Sequence, residues 1–231
     1  MKFDMTKKLK KTFRVFRVLT QKQTMNTKKQ ILERATALFF RNGIRSVTMN
    51  DVAEALGISK RTLYEHFSNK DELLSNCLEF QHGKNLEEQA RAEKEAKNII
   101  DLMHRHFRNA VIQLREIHPN FINELRKFHP EIWNTKVEPL LLERDDHTKN
   151  LIIKGIEEGF FLKEVNPEIA CKLLHAQSDM MMDPNLFPPG HFSLTDVFRH
   201  IAISFIRGFA TERGLKEIEN LFFNPNQEIY V

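Results

Sequence analysis

Cysteine is scarce in this chain of 231 residues: there are two, Cys77 and Cys171, far apart and each in an apolar, helical-looking stretch. That excludes a disulfide framework and points to a reduced, cytoplasmic protein. Long apolar runs are missing too. None approaches the roughly 20 residues that a membrane span needs, so no membrane partner is expected. The apolar run near the N-terminus is too interrupted for the core of a secretory leader. There is no strand-like alternation of any length and no internal repeat. No H-E-x-x-H, C-x-x-C, G-x-S-x-G or phosphate-loop pattern occurs, so no cofactor or metal is expected and an enzyme is the weakest reading. His104 and His106 form H-x-H, but on a helix they point roughly 200° apart and cannot share a metal.

What is present is charge, unevenly spread. Residues 1–24 carry eight Lys or Arg against one Asp, residues 25–75 eight against six acidic, and residues 76–231 nineteen against twenty-four. The net charge of +4 and the pI near 9.0 therefore come from the tail and say little of the body. In the tail, "KKLKKTFRVFRVL" sets Leu9, Phe13, Phe16 and Leu19 near one helical face and Lys10, Arg14 and Arg17 near another. Three readings of it are open: an extension upstream of a start at Met25, a basic arm on DNA phosphates, or a helix lying on a membrane surface.

From Asn26 the pattern becomes regular. Ile31, Leu32, Ala35, Leu38 and Phe39 form one helix face, and Gly43 fits its stop. Thr48 is a good cap for a second helix, with Val47 and Val52 spaced as a hydrophobic staple. Asp51 stands where a capping box has Glu or Gln, and its shorter reach is expected to weaken that motif. Gly57 ends this helix after two turns, Ser59 caps a third with Ile58 and Leu63 as staple, and Ser68 or Asn69 caps a fourth. Residues 48–67 thus read as a helix-turn-helix. Beyond it, helices are expected near 69–92, 97–117, 120–128, 131–158, 167–182 and 194–212, with Pro139 kinking the fourth of these or marking a later start. Gly155 and Gly159 read as a helix end.

At 100° per residue, Leu63 and Phe67 face inward while Arg61 and Glu65 point away, flanked by Lys60, Thr62, Tyr64 and His66. A short helix so rich in hydrogen-bonding groups suits a polyanion whose base edges can be read in a major groove. The run "ILERATALFFRNGIRSVTMNDVAEALGISKRTLYEHFSNKDELL" resembles the N-terminal domain of TetR-family transcriptional regulators. The likeness rests on Ala35, Leu38, Phe39, Gly43 and Thr48. It continues through Val52, Ala53, Leu56, Gly57, Ile58 and Ser59 to Leu63, Tyr64, His66, Phe67, Lys70 and Leu73. It implies an all-α protein with a three-helix DNA-binding domain at 25–85 and a helical ligand-binding and dimerisation domain at 86–231, after a basic extension at 1–24. It also implies a homodimer on a palindromic double-stranded operator, with a small molecule relieving repression. Thr48, Tyr64 and Lys70 then resemble phosphate contacts, and residues 59–62 with Glu65 and His66 the reading surface.

Aromatic residues and methionines of the expected domain at 86–231, Met103, Phe107, Phe121, Phe128, Trp133 and Met182, are candidates for an apolar effector pocket. His104, Arg108, His175 and Ser178 are its candidate polar anchors; any one of these residues is also at home in an ordinary core. Val197, Phe198, Ile201, Phe205 and Phe209, with Ile169 and Leu173, form ridges at helical spacing suited to a dimer interface. Two regulatory schemes stay open: control by an apolar or amphipathic ligand, or control by a protein partner or none.

Overall fold

A computed structural model describes residues 27–188 and 190–223; the basic tail and the three readings of it lie outside these. The first helix, α1, covers 27–42. It is followed by α2 (Met49–Leu56), α3 (Lys60–His66), α4 (Lys70–Glu95), α5 (Ile99–Glu116) and α6 (Phe121–Phe128). Then come α7 (Pro130–Ile132), a π turn (Trp133–Val137), α8 (Glu138–Glu157), α9 (Pro167–Met180), α10 (Leu194–Gly208) and α11 (Glu212–Phe222). The fold is all-α. Among the described residues, extended pairing is limited to one antiparallel bridge between Phe161 and Ala210.

Pro139 sits in the first turn of α8, so the later start expected at this proline is found. It sits one residue past the π turn, where the Glu138 amide reaches back to the Trp133 carbonyl. A proline donates no hydrogen bond and its ring crowds the carbonyl four residues earlier. The wider π turn absorbs that mismatch, so α7 runs through it into α8.

The last expected helix, 194–212, stops four residues early, and a further helix follows beyond those expected. α10 stops at Gly208 and α11 begins at Glu212, capped by the Thr211 hydroxyl, which accepts from the Gly214 amide at 3.1 Å. The break is imposed from outside. Leu162 donates to the Phe209 carbonyl and Thr211 to the Phe160 carbonyl, each at 2.9 Å, stitching this turn to the loop after α8. These tertiary bonds replace helical ones that the local sequence would otherwise make.

Two main cores organise the chain. The first joins Phe39, Val52, Leu63, Phe67, Leu74 and Cys77 with Phe121, Leu125 and Ile132. Residues of α6 and α7 therefore complete the core of the N-terminal head, beyond the expected boundary at 85. Burial also pushes the Cys77 thiol up to about 12, which makes it inert. The second core packs Ile99, Ile100, Phe107, Phe161, Ile206, Phe209 and Ile218 from α5, α10, α11 and the loop after α8.

Gly159, with φ of 76°, supplies the expected helix stop, but Gly155 lies inside α8 for another reason. A Cβ there would stand 2.1 Å from the Phe161 ring. Alanine favours a helix interior by about 1 kcal/mol over glycine, while overpacking a tight core costs about 1–3 kcal/mol. Because Phe161 is itself almost wholly enclosed, the second effect should win. Gly155→Ala is expected to lower the urea midpoint of unfolding; an unchanged or raised midpoint would mean that the ring has room to move.

Candidate nucleic-acid interface and effector cavity

The reading head is built from two capped helices and one glycine. Gly57 adopts φ of 64°, a left-handed turn that only glycine enters cheaply. From there the Ile58 amide reaches the Ala53 carbonyl at 3.0 Å, and the chain reverses into α3. The capping box on α2 is complete despite the short aspartate. Asp51 Oδ2 accepts from the Thr48 amide and hydroxyl, both at 2.7 Å, and Thr48 Oγ1 accepts from the Asp51 amide at 3.3 Å. The Thr48 hydroxyl and amide hold the Asp51 carboxyl below its ordinary value. Ser59 Oγ accepts from the Thr62 amide at 3.0 Å to start α3, and Asn69, not Ser68, caps α4.

Leu63 and Phe67 are buried, as the helical spacing requires, so the opposite face of α3 is free. The Arg61 side chain is 90% exposed, with its Nε 3.2 Å from Glu65 Oε1. Lys60 and Glu65 are exposed, Tyr64 is about half exposed, and Thr62 and His66 are half-buried. The hydroxyls of Ser59 and Thr62 lie 2.9 Å apart and share a hydrogen bond. Lys70 differs from the rest. It is half-buried, bonds the Ile44 carbonyl and stands over the Phe39 ring, and its pKa is lowered by burial. Its ammonium secures the loop between α1 and α2 and would have to leave that carbonyl to meet a phosphate.

The head is fastened to the body through α6. Glu124 accepts from the Ile44 amide at 2.7 Å and the Arg45 amide at 3.0 Å. The His118 amide donates to the Phe40 carbonyl of α1. His129 Nδ1 lies 2.9 Å from Asp71 Oδ1 on α4.

In the body, α5, α8, α9 and α10 line a cavity of about 390 Å³ that is partly open to solvent, with Phe222 of α11 also on its wall. α5 lines it with Met103, His106, Phe107, Ala110, Leu114 and Ile117, a continuous helical stripe. α8 adds Arg144, His147, Thr148 and Leu151; α10 adds Phe198, Ala202 and Ile206. Of the expected pocket residues, Met103, Phe107, His175 and Ser178 line it. The others do not. His104 is buried against the Phe222 ring at 4.8 Å, where burial lowers its pKa to about 4. Arg108 is exposed on the far side of α5. Phe121 and Trp133 belong to the head's core, because α6 and the π turn pack under the head. Phe128 lies at the surface under Arg45, and Met182 lines a neighbouring recess beside Pro184 and Phe187. Sequence reasoning missed His106, Arg144 and His147. The signal was there in part: His106 is three residues from Met103, and residues 144, 147, 148 and 151 share one face of a helix.

The ligand atoms of Asp145, Cys171 and His175 lie within 4.8 Å of one another. Each already has protein partners: His175 Nδ1 pairs with Asp145, and Cys171 Sγ donates to the Asp145 carbonyl at 3.3 Å. Burial also raises the Cys171 pKa, which disfavours the thiolate a metal requires.

On the outer side, α9 turns Ala170, Cys171 and His175 inward and leaves Ile169, Leu173 and Met180 more than half exposed. Ile201 and Phe205 border a groove between α9 and α10 on this same side. Val197 and Phe198 are not on that face. Val197 is buried, and Phe198 stacks on Phe107 at 5.5 Å within the chain's own core. Phe209 reaches the groove's edge but is mostly enclosed by Phe161 at 4.7 Å. The true spacing of the outer stripe is set by which flank of each helix meets α8 and α5.

A capped helix-turn-helix presenting an unburied donor face, carried on a helical body, defines a helix-turn-helix DNA-binding protein. Residues 31–77 match the profile of bacterial regulatory proteins of the tetR family. Over 187 residues the chain is 25% identical to the uncharacterized HTH-type transcriptional regulator YvaF of Bacillus subtilis, covering 80% of this chain and 96% of that one. Over 63 residues it is 35% identical to the HTH-type transcriptional regulator TtgR of Pseudomonas putida, 27% of this chain and 30% of that one. A TetR-family regulator from Agrobacterium tumefaciens shares the fold with a TM-score of 0.64 at 15% identity, over 80% of this chain and 99% of that one. Residues 31–77 are thus similar to the DNA-binding head of TetR-family regulators, and the chain shares their fold over most of its length. Among its described residues, no helix is long and apolar enough to cross a membrane.

Proposed function

We propose that the protein is a homodimeric repressor that holds a palindromic operator with one α3 per subunit and releases it when an apolar or amphipathic molecule fills the cavity. Arg61 and Thr62 read base edges, with Glu65 aiming Arg61. Tyr64, Thr48, Ser59, Lys60 and His66 serve the backbone. The outer faces of α9 and α10 from two subunits make the dimer seam. The body from α5 onward serves effector and dimer, although α6 and α7 also brace the head.

One observation carries the ligand reading. Ile117 lines the cavity, and the next residue, His118, donates its amide to the Phe40 carbonyl of α1. A molecule that displaces the C-terminal end of α5 therefore pulls directly on the head. Glu124 on α6 conveys the same movement to residues 44 and 45. A ligand acts through this link only if it prefers one arrangement of α5 and α6 over the other.

The test is operator selection from a random duplex pool with the full-length protein, followed by fluorescence anisotropy across a salt series. Log affinity should fall linearly with log salt. Small hydrophobic compounds that raise the melting temperature should also weaken operator binding. Compounds that bind but leave operator affinity unchanged would remove ligand control and leave a partner-controlled or constitutive DNA-binding protein.

A further inference from the structure

The cavity is apolar along α5 and α10 but has one polar wall, and that wall is incompletely satisfied. Gln113 is bonded to Asn85, Ser178 to the Leu174 carbonyl, and His175 to Asp145 and Thr148. Arg144 Nε, His106 Nε2 and His147 Nε2 are buried beside the same space without a hydrogen-bond partner. Arg144 and His147 are one turn apart on α8, and the His106 and His147 rings face each other at 5.4 Å across the α5–α8 seam. Arg144 makes no ion pair with any described residue. Asp145, its neighbour in sequence, is engaged by Lys172 and His175, and among the described residues no Asp or Glu lines the cavity.

Resting on the effector reading above, we infer that the cavity takes a compact hydrocarbon carrying one carboxylate, with the head held by Arg144 and the His106–His147 pair. A half-buried arginine whose Nε is buried without a partner, and which has no counter-ion among the described residues, calls for an anion, and its planar fork matches the two oxygens of a carboxylate. Burial, and then the neighbouring His147, lower the His106 pKa to about 4, so at neutral pH this ring stays uncharged and offers one N–H to an acceptor. Against one fixed charge, a monoanion leaves no second charge buried unpaired. The hydrocarbon lies between Phe107, Leu114, Leu151, Phe198 and Ile206. A volume of about 390 Å³ sits at the small end of ligand pockets and suits a compact hydrocarbon.

The experiment is isothermal titration of the full-length dimer at neutral pH with decanoate, decanol and decyltrimethylammonium. Adamantane-1-carboxylate tests whether the acid is a chain or a cage. A carboxylate should bind at least tenfold more tightly than either head-group control. Arg144→Gln should abolish that preference while decanol binds as before, and Arg144→Lys should restore part of it. Decanol binding the wild type as well as either acid does overturns the head assignment without any variant. So does Arg144→Gln, verified as folded by circular dichroism, retaining full carboxylate affinity. Failure of all four probes would instead overturn the effector cavity itself.

Discussion

Leu173→Asp is expected to produce a monomer that folds and loses operator affinity by about 100-fold or more. Leu173 is 54% exposed and lies on α9 between Ile169, at 59%, and the similarly bared Met180. Burying this row in a two-fold interface removes several apolar side chains from water, each worth about 1.5–3 kcal/mol when fully covered. A carboxylate at its centre would meet its own copy or its neighbours in the partner and would have to be desolvated. Leu173 is a better probe than Phe205. The Phe205 ring packs at 4.9 Å on Phe209 inside the subunit, so changing it also disturbs folding. Two linked heads make the second docking event intramolecular, and loss of that link accounts for the expected drop. Analytical ultracentrifugation gives the oligomeric state and anisotropy the affinity. A Leu173→Asp protein that sediments as a dimer would move the seam elsewhere.

Arg61→Ala should cost about 1–3 kcal/mol per half-site and relax preference at one base position. Arg61 projects furthest from the buried Leu63–Phe67 face, and its guanidinium can pair with guanine O6 and N7. Its present partner is the exposed carboxylate of Glu65. Exposed ion pairs contribute about 0–1 kcal/mol, so exchanging this one for a bidentate base contact is favourable. Glu65 pre-orients the arginine, and Glu65→Gln should weaken the site less than Arg61→Ala does. The measurement is binding to the selected operator and its single-base variants. Equal losses on every sequence for Arg61→Ala would make it a positioning contact and transfer the reading role to Thr62.

The contrast between head and body shows how far local pattern reaches. Thr48, Gly57, Ser59 and the Leu63–Phe67 face could be placed from residue type and spacing because caps, staples and turns are settled within four residues. Even there, the strength of the Asp51 cap depended on a conformation that spacing does not show. Lys70 carries a family likeness to a phosphate contact, yet its ammonium is turned onto the Ile44 carbonyl, a partner 26 residues away. In the body, His104 and His106 were correctly set on opposite sides of α5, but nothing in their spacing says which side faces a cavity. Phe121, Phe128 and Trp133 have the composition of a pocket. They lie in or beside the head because α6 folds back under α1.

The sequence by itself determined the all-α class, the register and caps of the helix-turn-helix, the outward face of α3 and the approximate extent of most helices before α11. Each follows from periodicity and from hydrogen bonds made between near neighbours. Tertiary structure alone decided the break before α11, the need for Gly155 beneath Phe161, and the convergence of Arg144, His106 and His147 on one wall. These depend on the angle and depth at which helices cross. Those are set by many weak contacts between distant residues, and no short window of sequence contains both partners.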